Sequence, residues 1–194
     1  MTTASKTFSV GKITRIAILT AMAVVLSLIP GIPIVGFYKL DLSLLPALLG
    51  TFSLGTLPGV IILGLNNLIS LVHSGTMGIG RLADFIVGCA MLIPAGLIYH
   101  KDKTRKNALI GMAIGTLCMI VIGVLANKFI LIPFYMTAFH MDMPKILGMC
   151  GVDSEWKLLL TVTAPFNLLK GVVLCVVTAL IYKPLSPILH EKIR

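Results

Sequence analysis

Two polar residues stand where an apolar chain should have none. The segment from Leu158 to Tyr182 reads LLLTVTAPFNLLKGVVLCVVTALIY, and it carries Asn167 and Lys170 deep inside its ends. An ammonium at the centre of a membrane helix costs about 2.5–3.5 kcal/mol even on the most lenient insertion scale. Asn167 and Lys170 are three residues apart and share one helix face. Pro165, just before them, predicts a kink that frees a backbone carbonyl near the pair. The plainer alternatives are interhelical hydrogen bonding for the asparagine and snorkelling for the lysine. Snorkelling suits Lys170 poorly, since either end of the segment is about 18 Å away at 1.5 Å per residue. A second polar pair, Asn127 and Lys128, lies near the end of another apolar run. Amides and an ammonium supply hydrogen-bond donors and acceptors, which suits the edge of a flat heterocycle or an amide better than an inorganic ion.

Hydrolytic and nucleotide-driven chemistry finds no foothold. GxSxG, HExxH and GxxxxGK[ST] are all absent. The histidines (His73, His100, His140, His190) are predicted in loops or the tail, and the cysteines (Cys89, Cys118, Cys150, Cys175) form no CxxC or zinc-type spacing. No catalytic residue, metal site or cofactor is therefore expected. A chain of this kind that moves a solute uphill must take its energy from a partner or an ion.

The elements that hold these residues are membrane spans. Of 194 residues, 57% are hydrophobic and only 12% charged, and the mean hydropathy is +1.02. That composition excludes a soluble domain. The net charge of +9 reads as topology information and contact with anionic lipid; without an Arg-rich face interleaved with aromatics, nucleic acid is not expected as a partner. Six apolar runs are predicted: Ile13–Ile29, Leu44–Leu54, Leu57–Val72, Phe85–Tyr99, Ala108–Ile132 and Leu158–Tyr182. The first is read as a retained helix, and its Ala17 and Ala21 form a small-xxx-small pair that admits a close neighbour. The second is the shortest. Residues 31–40 and 73–80 read as glycine-rich loops, and Pro133 to Trp156 as a long polar connection.

The fold class is thus all-α: one transmembrane substrate-binding domain over residues 1–194, with six helices and both termini cytoplasmic. Charge supports that orientation. One side collects Lys6, Lys12, Arg15, Lys101, Lys103, Arg105, Lys106, Lys183, Lys192 and Arg194; the other holds Lys39, Arg81, Lys145 and Lys157, ten against four. A five-span topology would split the basic clusters. With six spans, Asn127, Asn167, Lys170, Asp41, Asn67 and Arg81 gather in the outer half, roofed by the two glycine-rich loops.

Several phrases resemble a known family. LDLSLLPALLGTFSLGTLPGVI (40–61), NNLISLV (66–72), GRLADFIVG (80–88), ANKFILIPFY (126–135) and APFNLLKGVV (164–173) are similar to the riboflavin-specific substrate-binding subunit of energy-coupling factor (ECF) vitamin transporters. The resemblance implies a multi-pass cell-membrane protein that captures riboflavin on the outer face and works with a shared transmembrane coupling subunit and two ATP-binding-cassette ATPases. It implies flavin-edge contacts at Asn127, Asn167 and Lys170, with Ala17 and Ala21 meeting the coupling subunit. The chain departs from the pattern: Leu44 stands where the family has an acid, Asn66 where it has a lysine, and Asp84 where it has asparagine, while Arg81 is extra. Arg81 suits a carboxylate, which keeps pantothenate open as a related ligand. A membrane-embedded enzyme or a ligand-free scaffold are the readings from other classes.

Overall fold

The computed structural model describes residues 9–74 and 77–190, with side chains to Ile181. Lys6, the loop positions Gly75 and Thr76, Lys192 and Arg194 lie outside the described residues, as does the side chain of Lys183.

The chain is mostly helical. Helix α1 is Val10–Leu28, α2 Leu45–Leu54, α3 Thr56–Ile69 followed by a 3₁₀ turn Ser70–His73, α4 Ile79–Lys101 and α5 Arg105–Ala126. Beyond these come α6 (Ile132–Ala138), α7 (Met143–Met149), the single turn α8 (Glu155–Lys157) and α9 (Ala164–His190). Two π-helical turns, Asn127–Leu131 and Leu158–Thr163, join α5 to α6 and α8 to α9.

Among the described residues five helical stretches are long and apolar enough to cross a membrane: Val10–Leu28, Thr56–His73, Ile79–Lys101, Arg105–Ala138 and Glu155–Ile181. The sixth apolar run, α2, has 10 residues and is about 15 Å long, half the hydrocarbon thickness. It is nonetheless central: its residues from Leu45 to Phe52 are all buried, packed among Leu19, Ile62, Leu63, Leu92 and Leu174. Gly55, with φ of +121°, lets the chain reverse at once into α3, a conformation that a Cβ would oppose.

Three local expectations change. Residues 31–40 form a hairpin rather than a loop: β1 (Ile32–Val35) pairs antiparallel with β2 (Tyr38–Leu40), with Val35 opposite Tyr38. The β-branched run favours strand, and Gly36 at φ +54° takes the first position of the two-residue turn. A Cβ there would stand 2.7 Å from Cys150 Sγ, so the turn seats against the end of α7. Next, the helix does not stop at Pro133. The π turn resets the hydrogen-bond register, so Pro133 falls in the first turn of α6, where its missing N–H is harmless. Pro165 follows the other π turn in the same way, so the irregularity expected at the proline lies in the turn before it. Finally, His100 belongs to α4, with Nε2 2.8 Å from the Thr51 carbonyl.

Small residues bring the helices together. A Cβ on Gly111 or Gly115 would meet the carbonyls of Ala95 or Met91 on α4, which seals α4 against α5. One core cluster unites α1 to α5 with α9. A second joins Tyr38 of the hairpin to Ile132, Ile146, Leu147, Cys150, Leu158 and Leu159. The cavity lies where the two meet.

Candidate functional site

A cavity of about 370 Å³ opens at the hairpin end of the bundle, within the range of small-molecule sites. All six residues singled out in the sequence line it: Asp41, Asn67, Arg81, Asn127, Asn167 and Lys170. Much of the remaining wall is apolar, including Leu44, Leu63, Val87, Met119 and Phe166.

Lys170 points into the protein, not into lipid, and only 6% of it is exposed. Its Nζ donates to Asp84 Oδ1 at 3.2 Å and to Asp41 Oδ2 at 3.5 Å. Asp41 sits in the link between β2 and α2, and its other oxygen accepts from the backbone N–H of Ser43 at 2.9 Å and from the Ser43 hydroxyl. Burial works against the Asp41 carboxylate, but the Lys170 ammonium and the Ser43 hydrogen bonds outweigh it and hold its pKa below the usual carboxylate value. Asp41 is thus a saturated counter-ion. Asp84, one turn into α4, is the more open of the two, with its side chain 36% exposed against 20% for Asp41.

The asparagines are fixed by their own helices. Asn167 Nδ2 donates to the Thr163 carbonyl at 2.9 Å, Asn127 Nδ2 to the Gly123 carbonyl at 2.9 Å, and Asn67 Nδ2 to the Leu63 carbonyl at 3.0 Å. None of these bonds joins two helices, so the interhelical-glue alternative for Asn167 finds no partner here. Gly123 leaves room for this amide: a Cβ there would come 2.5 Å from Asn167 Nδ2. Asn67 Oδ1 is buried without a hydrogen-bond partner among the described residues, an acceptor that a bound donor would relieve.

Three contributors escaped the sequence reading. Asp84 stood just before a predicted span and was placed outside it; the signal was that a buried ammonium demands a carboxylate, in a chain with only seven acids. Tyr38, 6% exposed, donates its hydroxyl to Asn127 Oδ1 at 2.7 Å and lies 2.6 Å from Thr163 Oγ1. Burial pushes its phenol far above the ordinary value, so it stays a donor. Phe166 packs on the Tyr38 ring with centroids 4.9 Å apart, and nothing in its apolar surroundings marked it. Lys128, the neighbour of Asn127, turns away from these groups and lies 4.1 Å over the Trp156 ring.

A partly enclosed cavity in which amide and charged groups share the wall with apolar side chains, set in a bundle of apolar helices, has the lining to hold a small organic solute. The model of the ECF transporter substrate-specific component matches residues 11–182. The chain belongs to this family. As such a component it binds a transporter's substrate and is not an enzyme, and it is a multi-pass membrane protein. It is 31% identical to the riboflavin transporter RibU of Staphylococcus aureus over 188 residues, 93% of each chain. It is 28% identical to the riboflavin transporter FmnP of Bacillus subtilis over 191 residues, 94% of this chain and 96% of that one. A solved structure of the S component of a bacterial ECF transporter superposes with a TM-score of 0.75 at 30% identity, covering 93% of this chain and 98% of the other.

Proposed function

We propose that this ECF component captures riboflavin and passes it to a coupling subunit driven by two ATP-binding-cassette ATPases. The observation that carries the reading is the meeting of polar groups in one wall: Lys170, Asn127 and Asn167 line a single cavity beside the apolar Leu44, Leu63, Val87, Met119 and Phe166, which suits a flat ring system with a polar edge. The names of the relatives support the same ligand. In this reading Asn127, Asn167 and Lys170 meet the flavin edge, and Asp41, Asn67 and Arg81 complete the binding wall.

The chain acts as one substrate-binding domain with six passes, α2 counting as the second, and with both termini in the cytoplasm. The ten-to-four basic asymmetry supports this orientation. Ala17 and Ala21, both on the exposed side of α1, form the seam for the coupling subunit.

Titrating the detergent-purified protein into riboflavin tests the ligand. Quenching of flavin fluorescence that saturates at one equivalent is expected, and weakening by at least tenfold in Asn167→Ala. Unquenched flavin would remove riboflavin. Arg81 favours a second reading: it lies half-buried in the wall with no ion pair among the described residues, which suits a carboxylate such as that of pantothenate. Pantothenate binding that is lost in Arg81→Ala, with no flavin binding, would establish it.

A further inference from the structure

We propose that Tyr38 is a positioning residue that fixes the Asn127 amide so that the site offers an N–H, not a carbonyl, at that point of its wall. The inference rests on the riboflavin reading only for its ligand arm. The amide of Asn127 has two hydrogens and one oxygen to place. The Gly123 carbonyl, 2.9 Å from Nδ2, accepts only, so a flipped amide would set two acceptors against each other. The Tyr38 hydroxyl then donates its single hydrogen to Oδ1 at 2.7 Å. With its own hydrogen committed to Asn127, Tyr38 can only accept from Thr163, whose Oγ1 is 2.6 Å away and divides its single hydrogen between Tyr38 and the Leu158 carbonyl at 3.2 Å. The relay runs from the Thr163 hydroxyl to the Tyr38 hydroxyl to Asn127 Oδ1. It occupies one lone pair of the amide oxygen and one amide hydrogen, and leaves the second hydrogen as the one donor Asn127 can give a ligand.

The placement of the three residues makes the relay rigid. Tyr38 comes from the hairpin, Asn127 and Thr163 from the two π turns. The Tyr38 ring is packed by Phe37 at 4.5 Å and Phe166 at 4.9 Å between centroids. Asn167 differs: one Nδ2 hydrogen goes to the Thr163 carbonyl, the other stays available, and no protein donor takes its oxygen among the described residues. The two amides thus differ at their oxygens: Asn127 presents a donor to a ligand, while Asn167 also keeps its acceptor open. A ligand edge with a carbonyl beside an N–H meets both, and one bearing donors alone meets only Asn167.

Two measurements test the proposal. In ligand-free protein labelled with ¹⁵N-asparagine, the side-chain amide pair that disappears in Asn127→Ala is assigned to Asn127. That pair shifts in Tyr38→Phe if Tyr38 holds the amide; an unmoved pair overturns the proposal whether or not riboflavin binds. In the ligand arm, Tyr38→Phe weakens riboflavin about tenfold, the scale of one buried hydrogen bond, and has under twofold further effect in an Asn127→Ala background. Additive losses would make Tyr38 a direct contact and overturn the positioning role. A wild type that fails to bind riboflavin while the amide pair does shift refutes the ligand and leaves the relay standing.

Discussion

At the scale of single residues, the site is organised by one cation shared between two carboxylates of unequal standing. Replacing Lys170 by methionine keeps the volume and leaves Asp41 and Asp84 facing each other without a counter-charge. Breaking a buried pair from one side costs about 3 kcal/mol, at the low end of the usual range because Asp84 stays open to water. The ligand-free melting temperature should fall measurably in detergent, and riboflavin binding should be lost. Acid provides the cross-check. The Asp41 pKa is depressed in the folded protein, so its stabilisation is complete above its unfolded value near pH 4 and disappears as pH falls through the lower folded value. Wild-type melting should hold steady from pH 7 to about 5 and decline below about 4. In Lys170→Met the deficit against wild type should narrow over the same acid range. Equal pH profiles for the two proteins would show that the pair contributes nothing. Lys170, Asn167 and Asn127 were legible in sequence because a polar group amid apolar residues is expensive. Asp84 and Tyr38 were not, because a carboxylate or a phenol beside a loop reads as surface until its partner is known.

At the scale of elements, the site depends on α5 and α9 approaching closely. Gly123 permits the contact, since a Cβ there would stand 2.5 Å from Asn167 Nδ2 and 2.9 Å from its Cγ. Gly123→Ala should push the Asn167 amide aside and weaken riboflavin by tenfold or more, while Gly148→Ala, which meets nothing within 4 Å, should leave binding unchanged. Fluorescence titration of both variants checks this; a tight-binding Gly123→Ala would mean the helices can part without harm. The apolar runs were readable because length and hydropathy report a span directly. The π turns were not, since one extra residue per turn changes register without changing composition. Pro133 misled for the same reason: read against an unbroken α-helix it is a terminator, and read after a π turn it is a first-turn residue. The hairpin was hidden by Gly31, Pro33 and Gly36, which mark a turn-rich stretch without saying that Ile32–Val35 and Tyr38–Leu40 pair across it.

At the scale of the whole molecule, one short helix, α2, packs among four of the long ones, α1, α3, α4 and α9. Six passes predict that single cysteines replacing Lys12 and Lys101 are labelled by an impermeant maleimide only from the cytoplasmic side, and one replacing Lys145 only from outside, in a background without native cysteines. Labelling of Lys12 and Lys101 positions from opposite sides would overturn that topology. The short helix has a consequence of its own. Leu44, just ahead of α2, lines the cavity, and Thr51, in its last turns, lies beside His100 near the far end of α4. The vestibule and α2 therefore stack end to end, and α2 is a stopper held by α1, α3, α4 and α9. The dry seal beneath a captured solute is about 15 Å deep rather than the full slab. Leu48, Leu49 and Phe52, each at most 2% exposed, therefore close the bundle beneath the cavity.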